Sequence, residues 1–309
     1  MNNLKLYLIL SFGFIITGCF TGIESTPKIT ADNVRESGVR VTDEQTFAAQ
    51  ITPTPPRDWL PGKQWLVADP KIALVFTSAS ASSDSIFGKI IEFVETRNAM
   101  TVTGDEIIEL VLKSENGSAF YHRTGVSPSD WMSRNSYAIP FTIELTSVNK
   151  ADSLMKGHIY YITTPRWYDA DGADFIGQRH IPVEVVGVRP GNSIYPLLVA
   201  FRQPNRPSEP VRYILMTYGN ETSATRNFDR LFSFSDPRKS YPSITDATWD
   251  KIINSKLAEG MTRDEARLAL GTPASIDRAA LPGAQVERWS YENGVYLIFE
   301  DGILTRFRQ

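Results

Sequence analysis

Hydrophobic and polar positions follow two different patterns along the chain. From residue 62 to about 220, short apolar runs recur between turn signals, namely QWLVA, IALVF, IIEFVE, IIELVLK, AFYHRT, PFTIEL, HIYYIT, IPVEVVGV, PLLVAF and VRYILMT. Runs of this length and spacing are typical of antiparallel sandwiches or barrels. After residue 243 a helical period appears first and strands follow. We therefore predict an α+β protein: mostly antiparallel β, in one or two small β-barrel or sandwich domains, followed by a C-terminal α-α-β-β-β two-layer unit.

The β region contains three matches in the same order, at separations of 95, 89 and 93 residues. The matched segments are 62–70 with 157–165, 88–93 with 177–184, and 120–124 with 213–217. They favour two tandem copies of one small β unit, over 62–150 and 151–243. The alternative is two unrelated β domains that share turn residues, and the three matches leave both open.

The stretch EGMTRDEARLALGTP at 259–273 has every signal of one short helix. Thr262 and Glu265 form a capping box, and Met261 with Ala266 occupies the positions of a hydrophobic staple. Gly271 suits the left-handed residue that ends a helix. Such a short helix is marginal alone in water, so it has to pack on a neighbour.

Further elements flank this helix. Trp249, Ile252, Ile253 and Leu257 form a second helical stripe, entered through Thr245 or Asp246. Downstream, strands are expected at 288–291, 295–299 and 303–307. Asp301-Gly302 joins the last two, because both residues of a type I′ turn need positive φ.

The N-terminal residues have the pattern of an exported lipoprotein. Residues 1–18 contain one Lys and an apolar run too short to span a bilayer, which predicts a signal peptide. Ile16-Thr17-Gly18-Cys19 resembles the bacterial lipoprotein box, which implies cleavage before Cys19 and acylation of its thiol. A leader with a chance cysteine is the alternative. Several acyl chains would anchor the mature chain, 19–309, stably to a membrane.

Phe20 follows the cysteine, where an Asp would retain a lipoprotein on the inner membrane. The resemblance therefore implies the outer membrane of a Gram-negative envelope, on its periplasmic or its surface face. Residues 19–61 end in a Pro-rich run, and proline favours extended chain. This segment is either a stiff tether or an arm packed on the first domain.

Residues 245–309 resemble the BamE/SmpA/OmlA family of small outer-membrane lipoproteins, an accessory part of the machinery that folds β-barrel proteins. The matching positions are Gly260, Met261, Thr262, Glu265, Leu270, Gly271, Pro273, Trp289, Tyr291, Phe299, Asp301, Gly302 and Leu304. The resemblance implies a 244–309 unit that binds other envelope proteins, with Met261, Trp289 and Tyr291 as candidate binding residues. Here the unit ends a larger chain, and the loop at 274–286 is shorter, so a role in barrel assembly does not transfer whole.

Composition adds exclusions. The net charge is −3 without a basic block, which disfavours a nucleic-acid partner. His122, His158 and His180 match no zinc motif, no cofactor fingerprint is present, and residues 169–174 lack the register of a calcium loop. We expect no catalytic residues, metal or cofactor, and predict a hairpin tip at 169–174.

The chemistry leaves three hypotheses. The first is a non-catalytic, lipid-anchored scaffold that binds envelope proteins. The second is a surface lipoprotein that binds glycans on an aromatic platform, although its aromatic residues are equally explained as core: Trp131, Trp167, Tyr168 and Tyr195. The third and least favoured is a hydrolase without a sequence signature.

Overall fold

The computed structural model describes residues 41–76, 86–219, 225–281, 284–292 and 294–309. The predicted signal peptide, Cys19 and Phe20 lie outside the described residues. Within the described ranges the α+β class is confirmed, with seven α-helices and three antiparallel sheets. None of the helices in these ranges is long and apolar enough to cross a bilayer.

The helices are α1 (Asp43–Gln50), α2 (Pro128–Ser133), α3 (Leu145–Met155), α4 (Phe228–Leu231), α5 (Pro237–Ser240), α6 (Asp246–Ile253) and α7 (Arg263–Leu270). Two 3₁₀ helices cover Pro56–Asp58 and Pro70–Leu74. The strands are β1 (Gln64–Val67), β2 (Ile90–Met100), β3 (Glu106–Ser114), β4 (Ala119–Arg123), β5 (Thr142–Glu144), β6 (Ile159–Ile162), β7 (Arg166–Tyr168), β8 (Asp174–Ile176), β9 (Ile181–Pro190), β10 (Leu197–Arg202), β11 (Arg212–Met216), β12 (Phe232–Ser233), β13 (Ser275–Leu281), β14 (Ala284–Ser290), β15 (Tyr296–Glu300) and β16 (Ile303–Arg308).

Each sheet has its own hydrophobic core. The first sheet has the order β4-β3-β2-β1-β5, the second β12-β6-β9-β10-β11-β7-β8, and the third β13-β14-β15-β16. All three are open, with an edge strand at each end, so the predicted barrel is wrong for the described residues. A barrel needs enough strands to close on itself with a consistent stagger. Here the apolar faces are covered by helices and by neighbouring segments instead.

The first two sheets share one connectivity. Strands β1, β2, β3, β4 and β5 occupy the same places, with the same antiparallel neighbours, as β6, β9, β10, β11 and β12. The pairing of β2 with β3 and that of β9 with β10 each contain a bulge at the equivalent residue, which has no partner on the neighbouring strand. This residue is Val94 in β2 and Val186 in β9. A bulge is a local feature that re-aims a strand. Its repetition at one place supports tandem copies over two unrelated β domains.

Backbone hydrogen bonds align the copies residue by residue. The Gly62 N–H donates to the Phe93 carbonyl over 2.8 Å, and the Gly157 N–H donates to the Val185 carbonyl over 2.8 Å. By the same registers, Gly88 is equivalent to His180 and Phe120 to Arg212. The sequence matches of Gly88 with Gly177 and of Phe120 with Tyr213 are therefore wrong. A one-residue shift moves side chains to the other face of a strand, and an apolar run alone does not reveal it.

Three segments of the predicted β region are helical. The run IALVF lies mostly in the second 3₁₀ helix, and α2 and α3 were not predicted at all. The sequence nevertheless contained their signals. Ser127 caps α2 ahead of Pro128, a residue favoured in the first helical turn. Val148, Ala151 and Met155 form the buried stripe by which α3 packs against β9.

The described part of the predicted tether is folded. Thr42 and Gln45 form a capping box at the start of α1, and Ile51 is buried in the core of the second sheet. Pro56 and Trp59 are also buried, Trp59 in the core of the first sheet. Residues 41–61 thus correspond to the packed-arm alternative, but α1 packs on the second sheet and not on the first. Proline restricts φ, but this restriction does not prevent the Pro-rich segment from packing against the sheets.

The C-terminal unit contains the predicted helices and hairpin. Thr262 and Glu265 form the capping box of α7, and Gly271 follows the helix with φ 90°. Asp301 and Gly302 have φ of 49° and 87°, as the type I′ turn requires. The expected loop at 274–286 instead forms β13 and the start of β14. β13 is an edge strand whose neighbour in the sheet is β14.

Candidate functional site

The candidate binding residues of the C-terminal unit are mostly core. The Trp289 side chain is fully buried, stacks near Phe299 with ring centroids 4.7 Å apart, and donates its indole N–H to Glu287 over 3.0 Å. Met261 is 4% exposed in the same core. These two are therefore corrected from contact residues to packing residues. A spaced Trp or Met in an amphipathic pattern is equally typical of a core, and the pattern alone does not distinguish the two.

Tyr291 lies at the joint between the C-terminal unit and the second sheet. Its hydroxyl donates to the Gly271 carbonyl over 3.2 Å, at the end of α7. Burial raises its pKa to about 12, although the charges of Arg267 and Arg179 act in the opposite direction. Tyr291 is thus a neutral hydrogen-bond donor that fixes the end of α7 beside Arg179.

Arg179 connects the two sides of this joint by hydrogen bonds. Its backbone N–H donates to the Ile253 carbonyl at the end of α6 over 3.0 Å, and its side chain donates to Thr163 and to Ala269 at the end of α7. Helix C-termini leave carbonyls without intrahelical partners and are favourable places for cations. Burial lowers the Arg179 pKa to about 10, which still leaves the guanidinium charged at neutral pH.

His180 is the second residue of the joint. Its Nε2 lies 2.9 Å from the Leu268 carbonyl, and its ring stands edge-on to Trp249 at 6.4 Å. Because a carbonyl only accepts, Nε2 carries the proton, and Nδ1 has no hydrogen-bond partner among the described residues. Burial, and then the nearby Arg179 charge, lower the His180 pKa to about 4. The imidazole is therefore neutral at neutral pH.

The other two histidines lie in separate places. His122 Nδ1 lies 3.1 Å from the Val75 carbonyl, so it donates, and Nε2 accepts from the Tyr137 hydroxyl over 2.7 Å. Burial lowers its pKa below the ordinary value. His158 stacks on Tyr160 with centroids 6.3 Å apart. In the described ranges, no histidine lies within 4.0 Å of a carboxylate. A histidine acting as a general base would need such a carboxylate to orient it.

A cavity of about 640 Å³ lies between the first and second sheets. We call it the inter-sheet cleft. It is lined by residues 52, 53, 55, 135–139, 142, 193, 194, 196 and 217–219 with Trp65 and Glu144. Its lining is mainly apolar and aromatic, and Ile194 at the rim is 72% exposed. This volume and lining are typical of ligand-binding clefts.

A few polar groups are fixed in the inter-sheet cleft. Glu144 and Lys63 form a buried ion pair beside Trp59 and Trp65, and the Tyr218 hydroxyl donates to the Glu144 carbonyl over 3.3 Å. The Thr217 hydroxyl is buried without a hydrogen-bond partner among the described residues. An unpaired buried hydroxyl is costly, and a ligand group that bonded it would recover that cost.

The predicted platform and hairpin tip have clear outcomes. Trp131 and Trp167 are 4% and 2% exposed, so they belong to cores and offer no surface to a sugar. Residues 169–173 form a hairpin tip between β7 and β8, within the predicted range 169–174, and Asp174 begins β8. The Asp169 carboxylate accepts from the N–H groups of Asp171 and Ala173, 3.0 and 2.9 Å away. Across the described part of the chain, no group of three or more His, Cys, Asp or Glu could hold a metal ion.

Comparisons with protein-family profiles, with curated proteins and with solved structures find no match to this chain. The resemblance of residues 245–309 to the BamE/SmpA/OmlA family stays a prediction, based on the residues that carry it.

Proposed function

We propose that this chain is a lipid-anchored protein of the outer membrane, held there by acyl groups on Cys19, and that it binds other envelope proteins without catalysis. The inter-sheet cleft is the recognition site. One observation carries this proposal: an open, mainly apolar cavity of about 640 Å³ between two packed sheets, with Ile194 exposed at its rim. Exposed apolar surface of this kind marks sites that bind proteins or small molecules.

The surroundings of the cleft favour recognition over turnover. Its ionisable pair, Lys63 with Glu144, neutralises itself, and the Glu144 backbone carbonyl receives the Tyr218 hydroxyl. Apolar contacts with Trp65 and Ile194 would supply affinity, and the Thr217 hydroxyl would supply direction. The preferred occupant is an apolar segment of another envelope protein, since most of the lining surface is apolar.

Site-specific photocrosslinking in cells tests the cleft. A photoreactive residue at Ile194 or Asn135 is expected to yield discrete protein adducts. The control is Val102, which is more exposed than Ile194 but lies on the β2–β3 hairpin and is not part of the cleft lining. Adducts that are the same at all three positions would contradict recognition by the cleft, and glycan-only capture would favour the surface-carbohydrate alternative.

The anchor is tested separately. Metabolic labelling with a clickable fatty acid is expected to mark the wild-type chain and not Cys19→Ala, because the thiol is the predicted acylation site. Equal or absent labelling of both would remove the membrane part of the proposal, whatever the crosslinking shows.

A further inference from the structure

The joint between the second sheet and the C-terminal unit encloses a second cavity, of about 330 Å³. We call it the joint cavity. Three arginines line it, from three different elements: Arg179 before β9, Arg230 in α4 and Arg267 in α7. The one acidic residue in its lining is Asp264, which already pairs with Arg267 over 3.4 Å. The lining therefore has a net positive charge.

Arg179 is the unusual member. The residue is 8% exposed, and its Nε and Nη1 groups donate to backbone carbonyls, while the described residues place no carboxylate within 4.0 Å of it. Its Nη2 lies beside Gly271, another residue of the cavity lining, and has no hydrogen-bond acceptor among the described side chains and carbonyls. A buried charge without a counter-charge is costly, so buried cations are normally paired.

Arg230 is a second cation without a partner. Its backbone carbonyl accepts from the Thr163 hydroxyl, but its guanidinium forms no ion pair with any described residue. The C-terminus of α7 offsets part of the charge of Arg179, because the Ala269 carbonyl accepts from its guanidinium, but no described carbonyl accepts from the guanidinium of Arg230. His180 is neutral at neutral pH, so it adds no charge to the cavity.

From this arrangement we infer that the joint cavity is a binding site for a small oxyanion, a phosphate or carboxylate group, held by Arg179, Arg230 and Arg267. Guanidinium groups present planar donors that match the oxygens of both groups. The site connects the second sheet to the C-terminal unit, because Arg230 lies in α4, on the side of the second sheet, and Arg267 lies in α7 of the C-terminal unit. An anion there would hold the two together, so binding would stabilise the joint.

The experiment uses the full-length chain in detergent and follows thermal unfolding in phosphate, acetate or chloride at matched ionic strength. Phosphate, acetate or both are expected to raise the midpoint by about 2–4 °C at tenfold excess over Kd. The more effective anion identifies the chemical class of the ligand. Arg230→Gln and Arg267→Gln are expected to lose the increase. Arg308→Gln, an exposed arginine outside the cavity, is expected to keep it.

Arg230 is exposed, so its variant tests binding even if Arg179→Gln fails to fold. An anion effect of equal size in all variants, or none in the wild type, would overturn the proposal. If Arg179→Gln lowers the midpoint while no anion changes it in the wild type, Arg179 is only a structural cap of α7, and the site is rejected. The inter-sheet cleft is untouched by these variants, so its test stands apart from this one.

Discussion

The first β unit (62–150) and the second β unit (151–243) share one strand connectivity, but equivalent positions make different contacts. Gly88 and His180 occupy the same place before the second strand of each unit, and their N–H groups donate to Val67 and Ile162, the last residues of β1 and β6. Both have positive φ, 75° and 56°. Glycine adopts this conformation freely, whereas other residues rarely do.

The equivalent turn position makes no side-chain contact in the first unit, whereas in the second unit it contacts the C-terminal unit. In the first unit an added Cβ at Gly88 would meet nothing within 4 Å, so the position has no contact to make. In the second unit the imidazole of His180 bonds to the end of α7, and its neighbour Arg179 reaches the ends of both α6 and α7. Strained backbone persists where surrounding contacts over-determine it. The contacts of His180 with the end of α7 therefore stabilise a left-handed conformation that Gly88 adopts without any contact.

A second difference lies at the first strand of each unit. Lys63 and Glu144 form a buried ion pair in the first unit, whereas their equivalents in the second are His158 and Phe234. We expect Glu144→Gln to lower the free energy of unfolding by about 3–5 kcal/mol, because it removes the carboxylate of a buried ion pair. Urea denaturation measures this change.

The control is an exposed pair of the second unit. Glu184→Gln, which removes the partner of Arg202, is expected to cost no more than about 1 kcal/mol, because solvent screens that pair. The double variant Lys63→Met/Glu144→Leu is expected to recover much of the loss. Similar effects of Glu144→Gln and Glu184→Gln would show that burial of the first pair does not matter.

The next largest effect depends on pH and on His180. Its folded pKa of about 4 lies below the unfolded value of about 6.5, so the unfolded chain binds an extra proton between these values. Stability is therefore full above pH 6.5 and falls as the pH drops towards 4, by up to about 3 kcal/mol. Unfolding measured at several pH values gives the slope.

The matched variant for this measurement is His180→Asn. Asparagine tolerates positive φ and does not titrate, so it separates protonation from backbone strain. We expect its stability to depend on pH less steeply than that of the wild type over the same range. Both chains retain His122, whose own depressed pKa then contributes equally to each. Parallel curves for the two would contradict a buried neutral His180.

The smallest effect concerns the first unit alone. Gly88→Ala is expected to cost about 1–2 kcal/mol, because a left-handed conformation disfavours any Cβ even in open space. Lys89→Ala is the control on the adjoining exposed residue. Equal stabilities of the two variants in thermal unfolding would indicate that the turn relaxes. Positive φ would then not be costly at this position, which would contradict the strain inferred for His180.

Sequence patterns predicted the elements whose signals are local. Thr262, Glu265 and Gly271 specify α7 within about ten neighbouring residues, and Asp301-Gly302 specifies the final hairpin in the same way. The similarity of the two β stretches was visible too, although their register was not. Local signals also existed for α1 and α3, in the capping box at Thr42 and the stripe from Val148 to Met155, and the prediction missed them.

The sequence by itself determined the α+β class, the capped terminal helix and the two similar β stretches, because these depend on short-range backbone preferences and periodicity. Tertiary structure alone decided the burial of Trp289, the strand formed by β13 and the meeting of Arg179, Arg230 and Arg267. Each of these depends on which distant segments become neighbours. The energies of burial and charge pairing are properties of that arrangement, and a linear pattern does not contain them.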